Sequence, residues 1–512
     1  MTDAFVKRLD SVRSGMAAVH REGTNKTIIW KRTQLRALRR MVVENKQAIL
    51  SALFQDLGKH PIEAEVGEVG TTLIEIDELL SQLPAYAKPQ QVPSPGLLAP
   101  CFSEIRYEPL RSPGVFVIAP CNYPVNLSLV PVAGALAAGN PVVLKPSEMA
   151  ANVASLLAKL VPEYFPSSVF AIVEGGIPET TKLLQYPWGL VFFTGSSRVG
   201  KIVAAQAAQT LTPAILELGG KSPTYIASDC PDMRVVADRL IWGKTVNAGQ
   251  TCVAPDYVLC HRDVLDQFIK EAKKSLVRMY GEDAQKSNLA RIISTDSAKR
   301  IIGGIEELEL GGESKGKVIH GGSRLCDASS RFVTPTLVLE PSLDTQLMRE
   351  EIFGPVLPII PVNSSEEAIQ FIAKQQADMT PLALYIFTRS SGTFEKVAAA
   401  CPSATLVRND VIVQFGSSSL PIGGKGSSGY GSYHGKYSIE SFSHRRATIY
   451  KPATSAFEFG GVRYAPYDGF KGECFKMLTK LPQVRVLHSR WILFTLLLAL
   501  VYAVVGALAF QQ

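Results

Sequence analysis

The sequence predicts an α/β protein built around a parallel, doubly wound sheet. Three observations predict it: apolar strand-like runs alternate with helix-like segments from about residue 112, the runs are apolar throughout rather than every second residue, and the loops after them are rich in Gly, Pro and small hydroxyls. Strands covered by helices on both faces read as continuous apolar runs, and βαβα alternation makes the sheet parallel. A chain of 512 residues is too long for one core, so two or more domains are expected.

The elements follow in order. Val115-Phe116-Val117-Ile118-Ala119 reads as a buried strand, and SLVPVAGALAAG as a helix closed by Gly139-Asn140. Pro141 to Leu144 is the next strand, MAANVASLLAKLV the next helix, Val169 to Val173 another strand, and Leu190-Val191-Phe192-Phe193 the last, with a helix from Arg198. In such sheets ligands bind beyond the carboxyl ends of the strands. There the sequence places Pro120-Cys121-Asn122-Tyr123-Pro124, Lys145-Pro146-Ser147-Glu148, and Thr194-Gly195-Ser196-Ser197-Arg198-Val199-Gly200. The last puts glycines and hydroxyls at a helix N-terminus, where free N–H groups favour an anion; the same pattern also serves as a plain turn. Lys145 offers three donors to ribose or phosphate oxygens, or is a lone surface lysine.

A second α/β stretch begins near Pro213 and runs through AILELGGKSPTYI, VNAGQTCVAP, LEPSLDTQLMREEIFGPVLPII and SLPIGGKGSSGYGSYHGK. Gly-rich loops with few charges beside apolar segments carry function more often than packing. Within it, Cys252 follows Gly-Gln-Thr, whereas Cys260 closes the apolar run Tyr257-Val258-Leu259. Residue type alone leaves both as small apolar fillers.

The composition, 46% hydrophobic and 19% charged, is that of a globular protein. The net charge of +7 does not indicate nucleic acid, because the basic residues are dispersed apart from Lys31, Arg32, Arg36, Arg39 and Arg40. That run reads as a solvated helix face, and no zinc-finger, RRM or basic-zipper pattern accompanies it. The eight cysteines contain no C-x-x-C and no histidines at ligand spacing, which predicts no metal and reduced thiols in the cytosol.

Residues 491–510, WILFTLLLALVYAVVGALAF, carry no charge and no proline. As a helix they would span about 30 Å, the thickness of a bilayer core. The preceding 471–490 holds Lys471, Lys476, Lys480, Arg485 and Arg490 against Glu473 alone, and positive flanks favour the cytoplasmic side. The expected topology is a cytosolic body tethered by its tail. Between body and tail, Tyr464, Tyr467, Phe470, Phe475 and Met477 interleave with Lys471 and Lys476, as in a short amphipathic segment against a membrane surface.

Taken together, PCNYP, LKPSE, FFTGSSRVGK, LELGGKSP, NAGQTCVAP, EEIFGPVLP and SLPIGGKGSSGYG resemble the aldehyde dehydrogenase superfamily in order and spacing, from about residue 10 to 450. The NYP form, the short N-terminus and SYHGKYSIESFSHRR are most similar to its class 3 branch. The apolar tail and the RYAPY stretch resemble the membrane-anchored fatty aldehyde dehydrogenases.

The resemblance implies an aldehyde dehydrogenase fold, with a Rossmann-like NAD-binding domain at 1–212 interrupted by a bridging excursion near 100–112. It further implies a catalytic domain at 213–410, a return to the cofactor domain with an oligomerisation segment at 411–450, an amphipathic gate at 451–490 and a transmembrane anchor at 491–510. It makes Cys252 the nucleophile, with Asn122 and the Cys252 N–H as oxyanion donors, and Glu217, 35 residues earlier, the general base of thioester hydrolysis. The apolar neighbours Ile215, Leu216 and Leu218 would raise the pKa of Glu217.

It also implies that Lys145 and Glu351 bind cofactor ribose hydroxyls and that Phe353 packs near the nicotinamide. Gly195 and Ser196 would lie at the pyrophosphate, Gly200 would allow close helix approach, and Glu148 would sit near the adenosine ribose. A carboxylate there favours NAD over a 2′-phosphate, with NADP tolerated. Two positions depart from the pattern: Cys121 stands where the branch usually has tryptophan, and Ile422 where Pro-Phe-Gly-Gly is usual. The expected reaction is NAD-dependent oxidation of long-chain aldehydes by a homodimer. A broader medium-chain or aromatic specificity and a vestigial tail-anchored scaffold are the alternatives. The expected membrane is the endoplasmic reticulum, with the mitochondrial outer membrane, peroxisome and lipid droplet as others.

Overall fold

The computed structural model describes residues 3–95, 98, 101–375, 379–454, 463–467, 469–480 and 483–484. The apolar segment 491–510 lies outside them, and among the described residues no helix is long and apolar enough to cross a membrane. The chain divides into a larger unit, Met1–Leu83 with Pro109–Phe442, and a smaller one, Pro84–Glu108 with Ser443–Gln512.

In the larger unit the strands in chain order are β1 Val115–Ile118, β2 Val142–Lys145, β3 Phe170–Ile172, β4 Leu190–Gly195, β5 Ala214–Leu218, β6 Pro223–Ile226, β7 Tyr257–His261, β8 Lys317–His320, β9 Thr336–Leu339, β10 Val356–Val362, β11 Ala383–Phe387, β12 Thr405–Arg408 and β13 Gly429–Tyr430. They form a six-stranded sheet, β13-β5-β4-β1-β2-β3, and a seven-stranded one, β8-β9-β10-β7-β6-β11-β12. All pairs are parallel except β13 with β5 and β8 with β9.

The continuous apolar runs behave as expected: every residue of β1 and β2 is buried, with helices over both faces. Helix Asn126–Ala138 is buried nearly all round, and Gly139 ends it at φ 93°. A Cβ there would lie 2.5 Å from the carbonyl oxygen of Asn25, so the stop needs glycine for space as well as for backbone angle.

Strand order reverses between β1 and β4: the chain moves outward through β2 and β3, then returns to the other side of β1. In sheets of this kind ligands bind at such a switch point, outside the carboxyl ends of the strands. The loops carrying Asn122 and Ser196 follow β1 and β4 there, and Glu148 follows β2.

Two expectations shift. β5, assigned to the catalytic part by a boundary at 213, pairs with β4 through Thr194↔Glu217 and Gly195↔Leu218. The four residues Gly219–Ser222 therefore form the crossing into the second sheet, and the boundary lies one strand later. Lys31 is not on a solvated face. It is buried, its Cε lies close to Gly139, and burial pushes its pKa down to about 8.

In the smaller unit, Gln90–Val92, Phe102–Pro109 and Ser443–Tyr450 form a three-stranded sheet. The rings of Phe102 and Tyr450 stack 4.3 Å apart, and the Tyr450 hydroxyl donates to Glu104 at 3.0 Å. A helix at Gly469–Thr479 falls in the expected amphipathic segment, with Tyr464, Tyr467 and Met477 exposed.

Candidate active site

Cys252 lies at the entrance to β7, after helix Met233–Thr245 and a 3₁₀ turn at Val246–Gly249. Asn247, Ala248 and Gly249 take positive φ in succession, 54°, 51° and 76°. Non-glycine residues so held cost about 1–3 kcal/mol each and persist only where the surroundings fix them. Here Asn247 donates its N–H to Glu63 at 2.9 Å and its amide to the carbonyls of Asn122 and Gln250 at 2.8 and 3.0 Å. The Gln250 side chain donates to Asn247 O and Arg291 O and accepts from Ile293 N. A Cβ on Gly249 would fall 2.3 Å from the carbonyl of Gly354, so the NAGQTC turn packs directly on the EEIFGP loop.

The structure brings Cys252, Asn122, Glu217 and Glu351 together. Asn122 is buried, and one N–H of its amide is held by Gln250 O at 2.9 Å, which sets the amide plane and leaves the second N–H for a ligand. The Cys252 thiol is pushed well above its ordinary pKa by burial and by the carboxyls of Glu351 and Glu217, while the backbone N–H groups of Cys252 and Val253 pull the other way. The resting thiol is therefore protonated, and forming the thiolate requires a base. Glu217 is buried, and desolvation raises its pKa to about 8. Its Oε1 has no hydrogen-bond partner among the described residues, and neither has the Thr194 hydroxyl at the facing position on β4. Buried polar atoms without a protein partner call for water or a ligand group to satisfy them.

Glu351 accepts the N–H of Gly220, and burial raises its pKa to about 8. The segment carrying it is held by Lys221, a buried lysine that pairs with Asp256 and donates to the carbonyls of Leu347 and Glu350 at 2.8 Å. Asp256 in turn accepts from Ile352 N at 3.0 Å. One ion pair thus joins GGKSP, CVAPD and EEIFG. Phe353 sits in this segment at φ 51°.

Of the residues implied for a dinucleotide, Lys145, Glu148, Gly195, Ser196 and Gly200 lie at the carboxyl ends of the first sheet and fit it, whereas Glu351 and Phe353 come from the EEIFG segment before β10. Lys145, ending β2, pairs with exposed Glu148, a donor beside an acceptor as vicinal hydroxyls require. Ser196 caps helix Ser197–Gln209 and is exposed at its N-terminus, where phosphate is favoured. A Cβ on Gly200 would meet Leu218 at 2.6 Å, so glycine lets the helix close on β5.

Three tyrosines lie beside the thiol with no role assigned from the sequence: Tyr123 within PCNYP, Tyr433 within SYHGKYSIESFSHRR, and Tyr385 outside every motif. Tyr123 shares a hydrogen bond with Thr251 at 3.0 Å, Tyr385 donates to Val253 O at 2.5 Å, and Tyr433 is buried near both Glu217 and Cys252. Tyr433 bridges Ile422 through two backbone bonds, and its ring packs against Phe192 and His434. Lys221 lies inside LELGGKSP and Asp256 directly follows NAGQTCVAP. Cys121 is half-buried with its pKa raised to about 11 by burial, a neutral thiol. Cys260 is fully buried in the second sheet's core.

The family model for the "Aldehyde dehydrogenase family" matches residues 8–448. The chain is 43% identical to rat "Aldehyde dehydrogenase, dimeric NADP-preferring", over 89% of its length and 97% of that protein's. It is 41% identical to mouse "Aldehyde dehydrogenase family 3 member A2", over 87% and 89% respectively. Among solved structures, a substrate-bound AldH of Staphylococcus aureus superposes with TM-score 0.86 at 36% identity, covering 92% of this chain and 99% of that one. With the switch point in the first sheet and the thiol, amide and carboxyl geometry, these matches establish that the chain belongs to the aldehyde dehydrogenase family, in its class 3 branch, and oxidises aldehydes to carboxylic acids.

Proposed function

We propose that the protein oxidises long-chain aliphatic aldehydes, with NAD preferred and NADP tolerated, as a homodimer held to a membrane by residues 491–510 with the catalytic body in the cytosol. The enclosure of Cys252 with Glu217 and Asn122 carries the chemical part of this reading. The uncharged apolar run 491–510 and its basic flank carry the rest, because a long-chain aldehyde partitions into the bilayer with about 0.8 kcal/mol per buried CH₂. The endoplasmic reticulum is the proposed location.

The Cys252 thiol passes its proton to solvent water as sulfur adds to the aldehyde carbon. The second Asn122 N–H and the backbone N–H of Cys252 hold the resulting oxyanion. The nicotinamide cofactor, held by Lys145, Glu148, Gly195, Ser196, Glu351 and Phe353, supplies the hydride acceptor. Glu217 then removes a proton from water, the hydroxyl adds to the Cys252 thioester, the C–S bond breaks, the proton passes from Glu217 to the departing sulfur and the carboxylic acid leaves. A raised pKa suits this proton transfer near neutral pH. The rat relative's name says NADP-preferring. The Glu148 carboxylate favours a 2′-hydroxyl here by charge repulsion with a 2′-phosphate.

The test is kcat/KM for aldehydes from C2 to C16 and an aromatic aldehyde, with NAD and with NADP, on full-length protein in vesicles. A profile rising to C16 with NAD supports the reading. A maximum at medium chain or at the aromatic aldehyde favours the broader specificity, and no turnover at all favours the scaffold.

A further inference from the structure

We propose that Lys59 and Glu68, a buried ion pair outside the reacting groups, are positioning residues that set the loop presenting Asn122 to the oxyanion; this rests on Asn122 being that donor. Both side chains are fully buried, with Nζ 2.5 Å from Oε1. Lys59 Nζ also donates to the main-chain carbonyl of Asn122 at 3.0 Å and lies 4.0 Å over the ring of Tyr123. The other carboxylate oxygen of Glu68 accepts from Val125 N and Asn126 N, each at 3.0 Å.

Those two N–H groups open helix Asn126–Ala138, whose N-cap residue, Val125, has no side chain able to cap it. Glu68 is therefore the cap, supplied from a distant part of the chain, and a carboxylate at a helix N-terminus also meets the helix dipole favourably. It projects from a π-helical turn, Glu65–Gly70, a departure from α-helix that often accompanies functional sites. Thr71 and Thr72, on the following turn, accept from the Asn126 amide at 2.9 and 3.2 Å.

Asn122 is thereby held at three points: its carbonyl by Lys59 and Asn247, its amide by Gln250, and the chain after it by Glu68. A buried ion pair gains little over an apolar pair of similar volume, so stability does not account for this one. Geometry does: an oxyanion donor works at 2.7–3.1 Å from the developing charge, and a misplacement of about 1 Å costs on the order of 100-fold.

The experiment is a double-mutant cycle with kcat/KM for aldehyde as the readout. Lys59→Met with Glu68→Met removes both charges together, and Asn122→Ala removes the donor. In the otherwise native enzyme the paired variant is expected to lose about 10- to 100-fold in kcat/KM. Its cofactor affinity and its rate of Cys252 alkylation by iodoacetamide, which needs no oxyanion donor, should stay within about twofold. In the Asn122→Ala background the same pair should cost less than about twofold, because its route of action is gone. An equal loss in both backgrounds, or no loss in the native one, overturns the inference while leaving Asn122 as donor. An unchanged kcat/KM for Asn122→Ala alone overturns the donor assignment, and the inference with it. Should the paired variant not fold, Glu68→Gln is read in the same cycle, with a smaller loss expected in the native background and again none beside Asn122→Ala.

Discussion

The side-chain amide of Asn122 donates to the carbonyl of Gln250 at 2.9 Å, across 128 residues and two positions before Cys252. This bond ties the loop after β1 to the turn that carries Cys252. Asn122→Ala is expected to lower kcat for aldehyde oxidation by about 100- to 1000-fold, as loss of an oxyanion donor does elsewhere. Steady-state kinetics with saturating cofactor measure it, and a loss confined to KM would contradict the role.

Cys252→Ser should abolish aldehyde oxidation, because a hydroxyl supplies neither the nucleophilic anion nor the leaving group that both half-reactions need. Cys260→Ser should keep near-native turnover and lose on the order of 1 kcal/mol of stability for a hydroxyl placed in a closed core. Cofactor reduction and thermal unfolding of the two proteins separate the roles.

Glu217→Gln should spare the first half-reaction more than the second, giving a burst of reduced cofactor followed by a stalled steady state. In the native enzyme the hydrolytic step needs the Glu217 carboxylate, so kcat should rise with pH and level off above about 8. Stopped-flow traces from pH 6 to 9 test both statements; a missing burst with cofactor bound would mean that Glu217 acts before acyl transfer.

The same raised pKa has a stability cost of opposite sign. Glu217 and Glu351 hold their protons to about pH 8 when folded but to about 4.5 when exposed. Between those values the folded state binds more protons, so their contribution is fully present below about 4.5 and is lost as pH rises through 8. Glu217→Gln should therefore melt higher than the native protein at pH 8 and similarly at pH 5. Equal melting shifts at both pH values would exclude the linkage.

Lys221→Met leaves Asp256 buried without its partner and frees the carbonyls of Leu347 and Glu350. A loss of about 3–5 kcal/mol is expected, measured by denaturant unfolding. Activity should fall with it, since the segment carrying Glu351 loses its anchor.

A chain ending near Arg490 should be soluble and still oxidise medium-chain aldehydes, because every residue of the site precedes it. With C16 aldehyde in vesicles its kcat/KM should drop relative to the full chain, and ending near residue 455 should blur chain-length preference further. Equal profiles for all three would make the tail an address only.

The sequence by itself determined the local and periodic features. Apolar runs such as Val115–Ile118 and Val142–Leu144 are buried on both faces, so their composition announces a parallel sheet without knowledge of neighbours. The family pattern marked Cys252, Glu217 and Asn122 through short contiguous motifs. What only the tertiary structure decided are relations between distant segments. β5 joins the first sheet because Thr194 faces Glu217, and strand pairing leaves no mark in the strand's own composition. Lys31 is buried with its Cε beside Gly139, whereas its helix reads as an exposed basic run. Tyr433 and Tyr385 reach the thiol from strands and bridges more than 130 residues later in the chain, and Lys59 meets Asn122 across 63. Burial, hydrogen bonding and charge act over a few ångströms in space, and the order of residues along the chain records those distances only where neighbours in sequence are also neighbours in the fold.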